Sequence, residues 1–96
     1  MFCIIGTYIK PIEEVDAELS RHYEFLEKYF ANGTFILAGR RIPRFGGIIL
    51  CNAGSRNQVE TILQEDAFYQ KNIMEYQITE FIPTKYREGL EELLGQ

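Results

Sequence analysis

The sequence predicts a single α+β domain over residues 1–96, built on a four-stranded antiparallel sheet. Three short apolar runs and one alternating run have the composition of strands. Two segments between them repeat apolar side chains at the three- and four-residue spacing of an amphipathic helix. The resulting order, β-α-β-β-α-β followed by a tail, is the ferredoxin-like arrangement.

The first strand and the first helix follow from composition and period. Residues 2–9, FCIIGTYI, form an apolar run rich in β-branched and aromatic side chains, which ends before Pro11. A helical period begins near Val15, and Asp16 is the expected N-cap. Residues 32–33, Asn-Gly, supply a left-handed C-terminal stop.

The second and third strands flank an arginine-rich loop. Residues 34–39, TFILAG, and residues 47–52, GIILCN, are apolar at consecutive positions, as in strands buried on both faces. Residues 40–47, RRIPRFGG, combine a proline, paired glycines and three arginines. Proline and glycine favour turns, so we expect a loop there.

The second half of the chain predicts one helix, one strand and a tail helix. Residues 55–65 begin with a capping serine and form the second helix, and residues 66–72 are a connector. Residues 73–81, IMEYQITEF, alternate like a strand with one buried face. Residues 83–96 have an amphipathic pattern that predicts a short C-terminal helix, although Gly89 costs about 1 kcal/mol in a helix interior.

The chain connections predict the order of the strands and leave one sheet face without a cover. Right-handed crossovers give the order 4-1-3-2, with both helices on one face. The first three strands lack the alternation that a water-facing antiparallel sheet shows. The tail is too small to cover the second face. We therefore expect a second copy to pack sheet to sheet as a two-fold homodimer.

Composition and charge exclude several classes of partner. The net charge is −4 and the ten Lys and Arg residues are scattered, so there is no basic stripe for a nucleic acid. No stretch approaches the roughly 18 apolar residues of a membrane span. Cys3 and Cys51 lie in apolar runs without metal-ligand spacing, which indicates buried, reduced thiols. We expect a cytoplasmic protein with no metal or other cofactor, and with neither nucleic acid nor membrane as a partner.

Four segments that are distant in sequence should meet where the first strand ends. His22, the single histidine, lies beside the apolar stripe of the first helix, near its start. The second helix brings Asp66 to the same end, where residues 39–47 and Tyr8 also arrive. A carboxylate would hold one imidazole nitrogen and leave the other as a base. His22 and Asp66 are therefore the candidate catalytic residues.

Structural roles compete with this interpretation. A lone helix histidine is more often a packed residue than a catalyst, and a carboxylate after a helix often caps the next turn. The loop glycines can serve as turn residues without any role in binding. The arginines of the loop can clamp a carboxylate or phosphate, but solvated side chains are the simpler interpretation. These arginines are Arg40, Arg41 and Arg44.

The chain resembles the YciI-like (YCII-related) proteins over essentially its whole length, through residues 11–50 and 62–86. The shared pattern is a helix histidine, a small residue and Gly ending the second strand, Pro-x-x-Gly-Gly, Asp-x-Phe after the second helix, and a closing Glu-Phe-x-Pro. Two positions depart from the usual pattern. Arg40 and Ala67 stand where the family commonly has proline, so substrate identity does not carry over.

The resemblance implies a dimeric α/β barrel of two ferredoxin-like halves, with His22 and Asp66 as the family's active-site pair. Most members have no assigned reaction, and a few similar ones are dehydrochlorinases that act on ring-cleavage or chlorinated aromatic intermediates. The candidate substrate-binding residues are Tyr8, Gly39, Arg40, Arg44, Gly46 and Phe68.

Two functions remain open on the sequence. The first is a cofactor-independent lyase or isomerase in which neutral His22, oriented by Asp66, removes a proton next to a carbonyl or a leaving group. Arg40 or Arg44 would hold the acidic end of a small metabolite. The alternative is a non-catalytic binding or sensor module that uses the same pocket.

Overall fold

The computed structural model describes residues 1–94, which contain four strands and four helices. The strands are β1 Phe2–Tyr8, β2 Phe35–Arg40, β3 Gly46–Cys51 and β4 Met74–Glu80. The helices are α1 Ile12–Ala17, α2 Leu19–Ala31, α3 Arg56–Leu63 and α4 Ala67–Gln70. None of these helices is long and apolar enough to cross a membrane. The α+β class and the ferredoxin-like arrangement are confirmed.

The four strands form one antiparallel sheet in the order β2-β3-β1-β4, which confirms the predicted 4-1-3-2 order. Gly6 of β1 lies opposite Gly47 of β3 on one side and opposite Tyr76 of β4 on the other. Gly47 in turn lies opposite Arg40 of β2. Residues that oppose each other directly point to the same face. Arg40, Gly47, Gly6 and Tyr76 therefore form one row across the sheet, here called the glycine row.

The helices and the sheet enclose the core on one face. Its main cluster of buried side chains is Phe2, Ile4, Phe25, Tyr29, Phe35, Ile49, Cys51, Val59, Ile62 and Leu63. A second cluster lies at the end of the sheet where β1 finishes, here called the upper end, and consists of Val15, Phe68, Ile73 and Met74. Phe25 anchors α2 in the main cluster, and Leu19 packs on the second one. The position of α2 over the sheet is thus fixed on both sides of His22.

The segment predicted as one helix from Val15 is two helices. Glu18 separates α1 from α2 with φ −109° and ψ 6°, outside helical geometry. Asp16 lies inside α1 and caps neither helix, so its prediction as an N-cap is wrong. Its carboxylate instead pairs with Arg44 at 2.7 Å. The predicted stop after α2 is present, because Gly33 has φ +82°.

Two side-chain caps organise the second helical segment. The hydroxyl of Ser55 accepts a hydrogen bond from the backbone N–H of Gln58 at 3.1 Å, as the sequence predicts. The stretch predicted as a connector contains α4, whose N-cap is Asp66. Oδ1 of Asp66 accepts from the backbone N–H of Phe68 at 3.1 Å. A four-residue helix is too short to show a helical period, so composition did not reveal it.

The predicted C-terminal helix is not formed over residues 83–94, the part of the tail that the structure describes. Turns occupy its second half, and Gly89 has φ +101°. A residue in the left-handed region interrupts a right-handed helix. The prediction of a tail helix is therefore wrong for these residues, and residues 95–96 lie outside the described range.

The sheet face opposite the helices has an apolar centre, here called the open-face patch. The patch consists of Cys3 and Ile5 of β1, Leu37 of β2, and Ile48 and Leu50 of β3. Leu37 is 53% exposed and Ile48 is 37% exposed. β4 borders the patch with polar side chains, which are Glu75, Gln77 and Thr79. The first three strands are apolar at consecutive positions because one set of side chains fills the core and the other forms this patch.

The two cysteines lie on opposite faces of the sheet. Phe2 pairs with Cys51 and Cys3 pairs with Leu50, so the thiols belong to adjacent rows. Cys51 is fully buried, and burial raises the pKa of its thiol to about 11. Cys3 is half-buried in the open-face patch. Both are free thiols, and the expectation that both are buried is correct for Cys51 alone.

We expect Cys51 to react with an alkylating reagent only after unfolding. A thiol with a pKa of about 11 is ionised in about one molecule in a thousand at pH 8, and only the thiolate is nucleophilic. Iodoacetamide at pH 8 should therefore leave Cys51 unmodified until unfolding, as read by peptide mass spectrometry, whereas Cys3 should react in any chain whose open-face patch is uncovered. In the matched variant Cys3→Ser, no thiol should react before unfolding. Rapid labelling of that variant would contradict the burial of Cys51.

Candidate functional site

A cavity of about 450 Å³ lies between α2 and the upper end of the sheet. This volume suits a small-molecule site. Six of the residues predicted from the sequence line it: Tyr8, His22, Gly39, Arg40, Arg44 and Gly46. The convergence of four distant segments at the upper end is therefore present in the structure.

His22 is held in the cavity wall by two contacts. Its side chain is 12% exposed, and Nδ1 lies 2.9 Å from Oδ1 of Asp66. The imidazole stacks on the Phe68 ring, with the centroids 4.1 Å apart and the planes 9° from parallel. The carboxylate fixes one edge of the ring and the phenyl group fixes its plane. Nε2 is then the ring nitrogen left for a ligand.

Asp66 is fully buried, and both of its oxygens accept hydrogen bonds. Oδ1 faces Nδ1 of His22 and the backbone N–H of Phe68, and Oδ2 accepts from the hydroxyl of Tyr76. When this carboxylate is ionised it can only accept, and Nδ1 of His22 is then the donor between them. On the sequence, capping of the next turn and pairing with His22 were alternative roles for Asp66. In the structure, one oxygen of Asp66 serves both.

Tyr76 is a site residue that the sequence analysis missed. Its hydroxyl donates to Oδ2 of Asp66, and its ring lines the cavity. Burial, followed by the nearby charge of Asp66, raises the pKa of Tyr76 far above its usual value. The phenol therefore stays protonated and acts as a donor. The alternation of β4 was a usable signal, since it placed Tyr76 on the inward face.

A second link between the same segments lies one residue before Asp66. The Glu65 carboxylate accepts from Lys28 Nζ at 2.5 Å and from the hydroxyl of Tyr29, both on α2. The hydrogen bond from Lys28, followed by that from Tyr29, lowers the pKa of Glu65. These contacts tie the end of α3 to α2. They help to set the spacing between His22 and Asp66.

Two glycines in the floor of the cavity, Gly46 and Gly6, are closely surrounded by other atoms. A Cβ on Gly46 would lie 1.8 Å from the carbonyl oxygen of Gly6. A Cβ on Gly6 would lie 2.6 Å from Sδ of Met74. The backbone oxygen cannot move aside, so position 46 requires glycine, whereas a Cβ at position 6 would require the flexible Met74 side chain to move. Their missing side chains let β1 and β3 approach and let Met74 lie against the β1 backbone beneath the cavity.

Two of the three loop arginines already have partners. Arg44 Nη2 donates to Oδ1 of Asp16 at 2.7 Å and so joins the β2–β3 loop to α1 beside the cavity. Arg41 Nη1 donates to Oγ1 of Thr7 at 2.8 Å, and its guanidinium lies 4.1 Å from the centroid of the Phe45 ring. Both guanidinium groups therefore support the loop.

Comparison with known families identifies the domain. Residues 1–82 match the model of the YCII-related domain, which is 82 of the 96 residues. The chain belongs to the YCII-related domain family. The YCII-related domain ends two residues after β4, so the sheet, the helices and the cavity all lie within it. No curated protein matches the chain.

A solved structure with a similar fold is 5-chloro-2-hydroxyhydroquinone dehydrochlorinase (TftG) from Burkholderia phenoliruptrix, in complex with 2,5-dihydroxybenzoquinone. The TM-score is 0.72, and the alignment covers 85% of this chain and 94% of the TftG chain. The two sequences are 15% identical. At this identity the comparison shows a shared fold.

The YCII-related domain brings the two candidate catalytic residues into contact and most of the candidate binding residues around the cavity. Phe68 lies elsewhere, since it is fully buried and stacks on the ring of His22. Within residues 1–94, no three side chains of His, Cys, Asp or Glu are grouped so that they could hold a metal ion.

Proposed function

We propose that this YCII-related domain is a cofactor-independent lyase or isomerase that removes a proton from a carbon of a small acidic metabolite. The observation behind this proposal is the 2.9 Å contact between Nδ1 of His22 and the buried carboxylate of Asp66. In the proposed state, Nδ1 of the neutral ring donates to this carboxylate and Nε2 has a free electron pair. Nε2 is the proposed base, because His22 lines the cavity.

The proposed step moves a proton from carbon to Nε2 of His22. The imidazolium that forms lies against Asp66, whose negative charge stabilises it. In a lyase reaction, the electron pair of the broken C–H bond forms a carbon–carbon double bond, and a leaving group such as chloride departs with its own bonding pair. In an isomerase reaction, the imidazolium returns the proton to a different carbon. TftG, which shares the fold, is named as a dehydrochlorinase and favours the lyase form.

Phe68 and Tyr76 are proposed to position the catalytic pair. Phe68 holds the imidazole plane by stacking, and Tyr76 holds the second oxygen of Asp66. Neither side chain needs to touch the substrate for this role. Their contacts keep the reacting nitrogen in one place, which is a condition for efficient proton transfer.

We also propose that the chain forms a homodimer through the open-face patch. An exposed apolar surface that spans three strands, bordered by polar side chains of β4, has the pattern of a protein interface. A second copy of the chain would cover the patch as in the dimeric α/β barrel that the family resemblance implies. The free thiols Cys3 and Cys51 fit a reducing compartment, and the cytoplasm is the proposed location.

Hydrogen exchange at carbon tests the proposed chemistry without knowledge of the natural substrate. Small keto acids and 5-chloro-2-hydroxyhydroquinone are incubated with the protein in D₂O, and NMR follows deuterium incorporation while an electrode follows chloride release. We expect protein-dependent exchange or chloride release with at least one compound. His22→Gln should slow it by about 10²- to 10⁴-fold, the usual contribution of a general base.

Glu24→Gln is the control for this experiment, because Glu24 is exposed on the same helix and outside the cavity. It should retain the wild-type rate. A wild-type protein that binds these compounds but neither exchanges hydrogen nor releases chloride would be a binding module. An equal rate in His22→Gln would remove His22 as the base.

A further inference from the structure

Arg40 differs from the other loop arginines because its guanidinium has no side-chain partner among residues 1–94. Arg44 is paired with Asp16, and Arg41 is bound to Thr7. Arg40 lines the cavity, yet it forms no ion pair within 4.0 Å among residues 1–94. A cation at the edge of a cavity without a counter-charge is a ready site for an anion.

The glycine row places Arg40 and the catalytic pair at opposite ends of the cavity floor. Arg40 and Tyr76 are the outer members of the row, with Gly47 and Gly6 between them. Adjacent strands are about 4.8 Å apart, so the two outer backbones are about 14 Å apart. A cavity of about 450 Å³ leaves room for a small ligand between the two ends. Tyr76 is bonded to Asp66, which in turn holds His22.

The charges around the cavity decide which chemical group Arg40 can bind. Asp16 is already occupied by Arg44, and Asp66 is fully buried beside His22. Neither carboxylate neutralises Arg40. A carboxylate on the ligand matches the planar guanidinium through two parallel hydrogen bonds.

We infer that Arg40 binds the carboxylate of the ligand and that the ligand is a monocarboxylate whose reacting carbon lies toward His22. The inference rests on the proposed function, because it takes His22 as the reacting end. Arg40 is then the residue that selects acids over neutral analogues, and Arg44 remains a structural link between the β2–β3 loop and α1.

Binding of benzoate and of neutral benzamide tests this inference. Titrations are followed by calorimetry and by the NMR signals of the single imidazole. Arg40→Met should weaken benzoate binding at least tenfold and leave benzamide binding unchanged. Arg40→Lys should retain part of the benzoate affinity, because it keeps the charge. Arg41→Met is the matched control, because it removes the same charge from the adjacent residue. The Arg41 side chain lies outside the cavity and is hydrogen-bonded to Thr7.

Three results would overturn the inference. These are no benzoate binding to the wild type, equal losses in Arg40→Met and Arg41→Met, and a larger loss in Arg44→Met than in Arg40→Met. The exchange assay with His22→Gln reports separately on the chemistry. Selective loss of benzoate binding in Arg40→Met together with no exchange in the wild type would support the anion site and reject the enzyme.

Discussion

Asp66→Ala is expected to lower the free energy of unfolding by about 3–5 kcal/mol, as breaking a buried polar pair does. The substitution leaves the hydroxyl of Tyr76 and the backbone N–H of Phe68 buried without an acceptor. Each such orphaned donor costs about 1–3 kcal/mol. Urea unfolding followed by circular dichroism measures the loss.

The control for this prediction is Asp16→Ala, because Asp16 belongs to an exposed ion pair with Arg44. Exposed pairs contribute about 0–1 kcal/mol, so this variant should remain close to the wild type. A double variant measures the coupling free energy between Asp66 and Tyr76. Adding Tyr76→Phe to Asp66→Ala removes one orphaned donor and should recover stability, whereas Tyr76→Phe alone should destabilise. Simple additivity of the two changes would show that the hydrogen bond between these side chains contributes little.

The contacts of Asp66 show which part of the site the sequence can predict. Strand directions and helix order bring Asp66 and His22 to the same end of the sheet, and that follows from topology alone. The contact between Asp66 and the third member of the site, Tyr76, depends on α4, which lies between Asp66 and β4. A four-residue helix leaves no period in the sequence, so this contact could not be derived from spacing.

The helices and strands also differ in how far the sequence predicts them. The Ser55 cap was predicted correctly because capping chemistry is local, and the sheet order because the handedness of the crossovers determines it. The break at Glu18 was not predicted, because no proline or glycine marks it. In the tail, apolar spacing suggested a helix, while Gly89 adopts a left-handed conformation that ends one.

Cys3 illustrates a different limit, which concerns faces of the sheet. Apolar runs in β1 and β3 indicate burial on both faces, but a single chain covers only one of them. Half of the apolar side chains in these runs therefore form the open-face patch. The proposed homodimer would cover these side chains, which leads to the second large effect expected for this protein.

The wild type should behave in light scattering as a dimer with twice the 11.2 kDa mass of one chain at micromolar concentration. Ile48→Glu should convert it to a monomer. Ile48 lies on β3, between β1 and β2, and is 37% exposed in the single chain, so the charge is tolerated by the fold. In the dimer, the same carboxylate would be buried without a partner, which costs several kcal/mol. We expect the dissociation constant to rise by at least about 100-fold.

Ile12→Glu is the matched control, since it makes the same change at a side chain that is 38% exposed on α1, away from the open-face patch. A glutamate in the first turn of a helix is electrostatically favourable, so this variant should fold and remain dimeric. Circular dichroism of both variants separates dissociation from unfolding. A folded Ile48→Glu variant that keeps the dimer mass would place the interface elsewhere. A monomeric wild type would mean that the open-face patch is not covered by a second copy, and the barrel assembly would have to be abandoned.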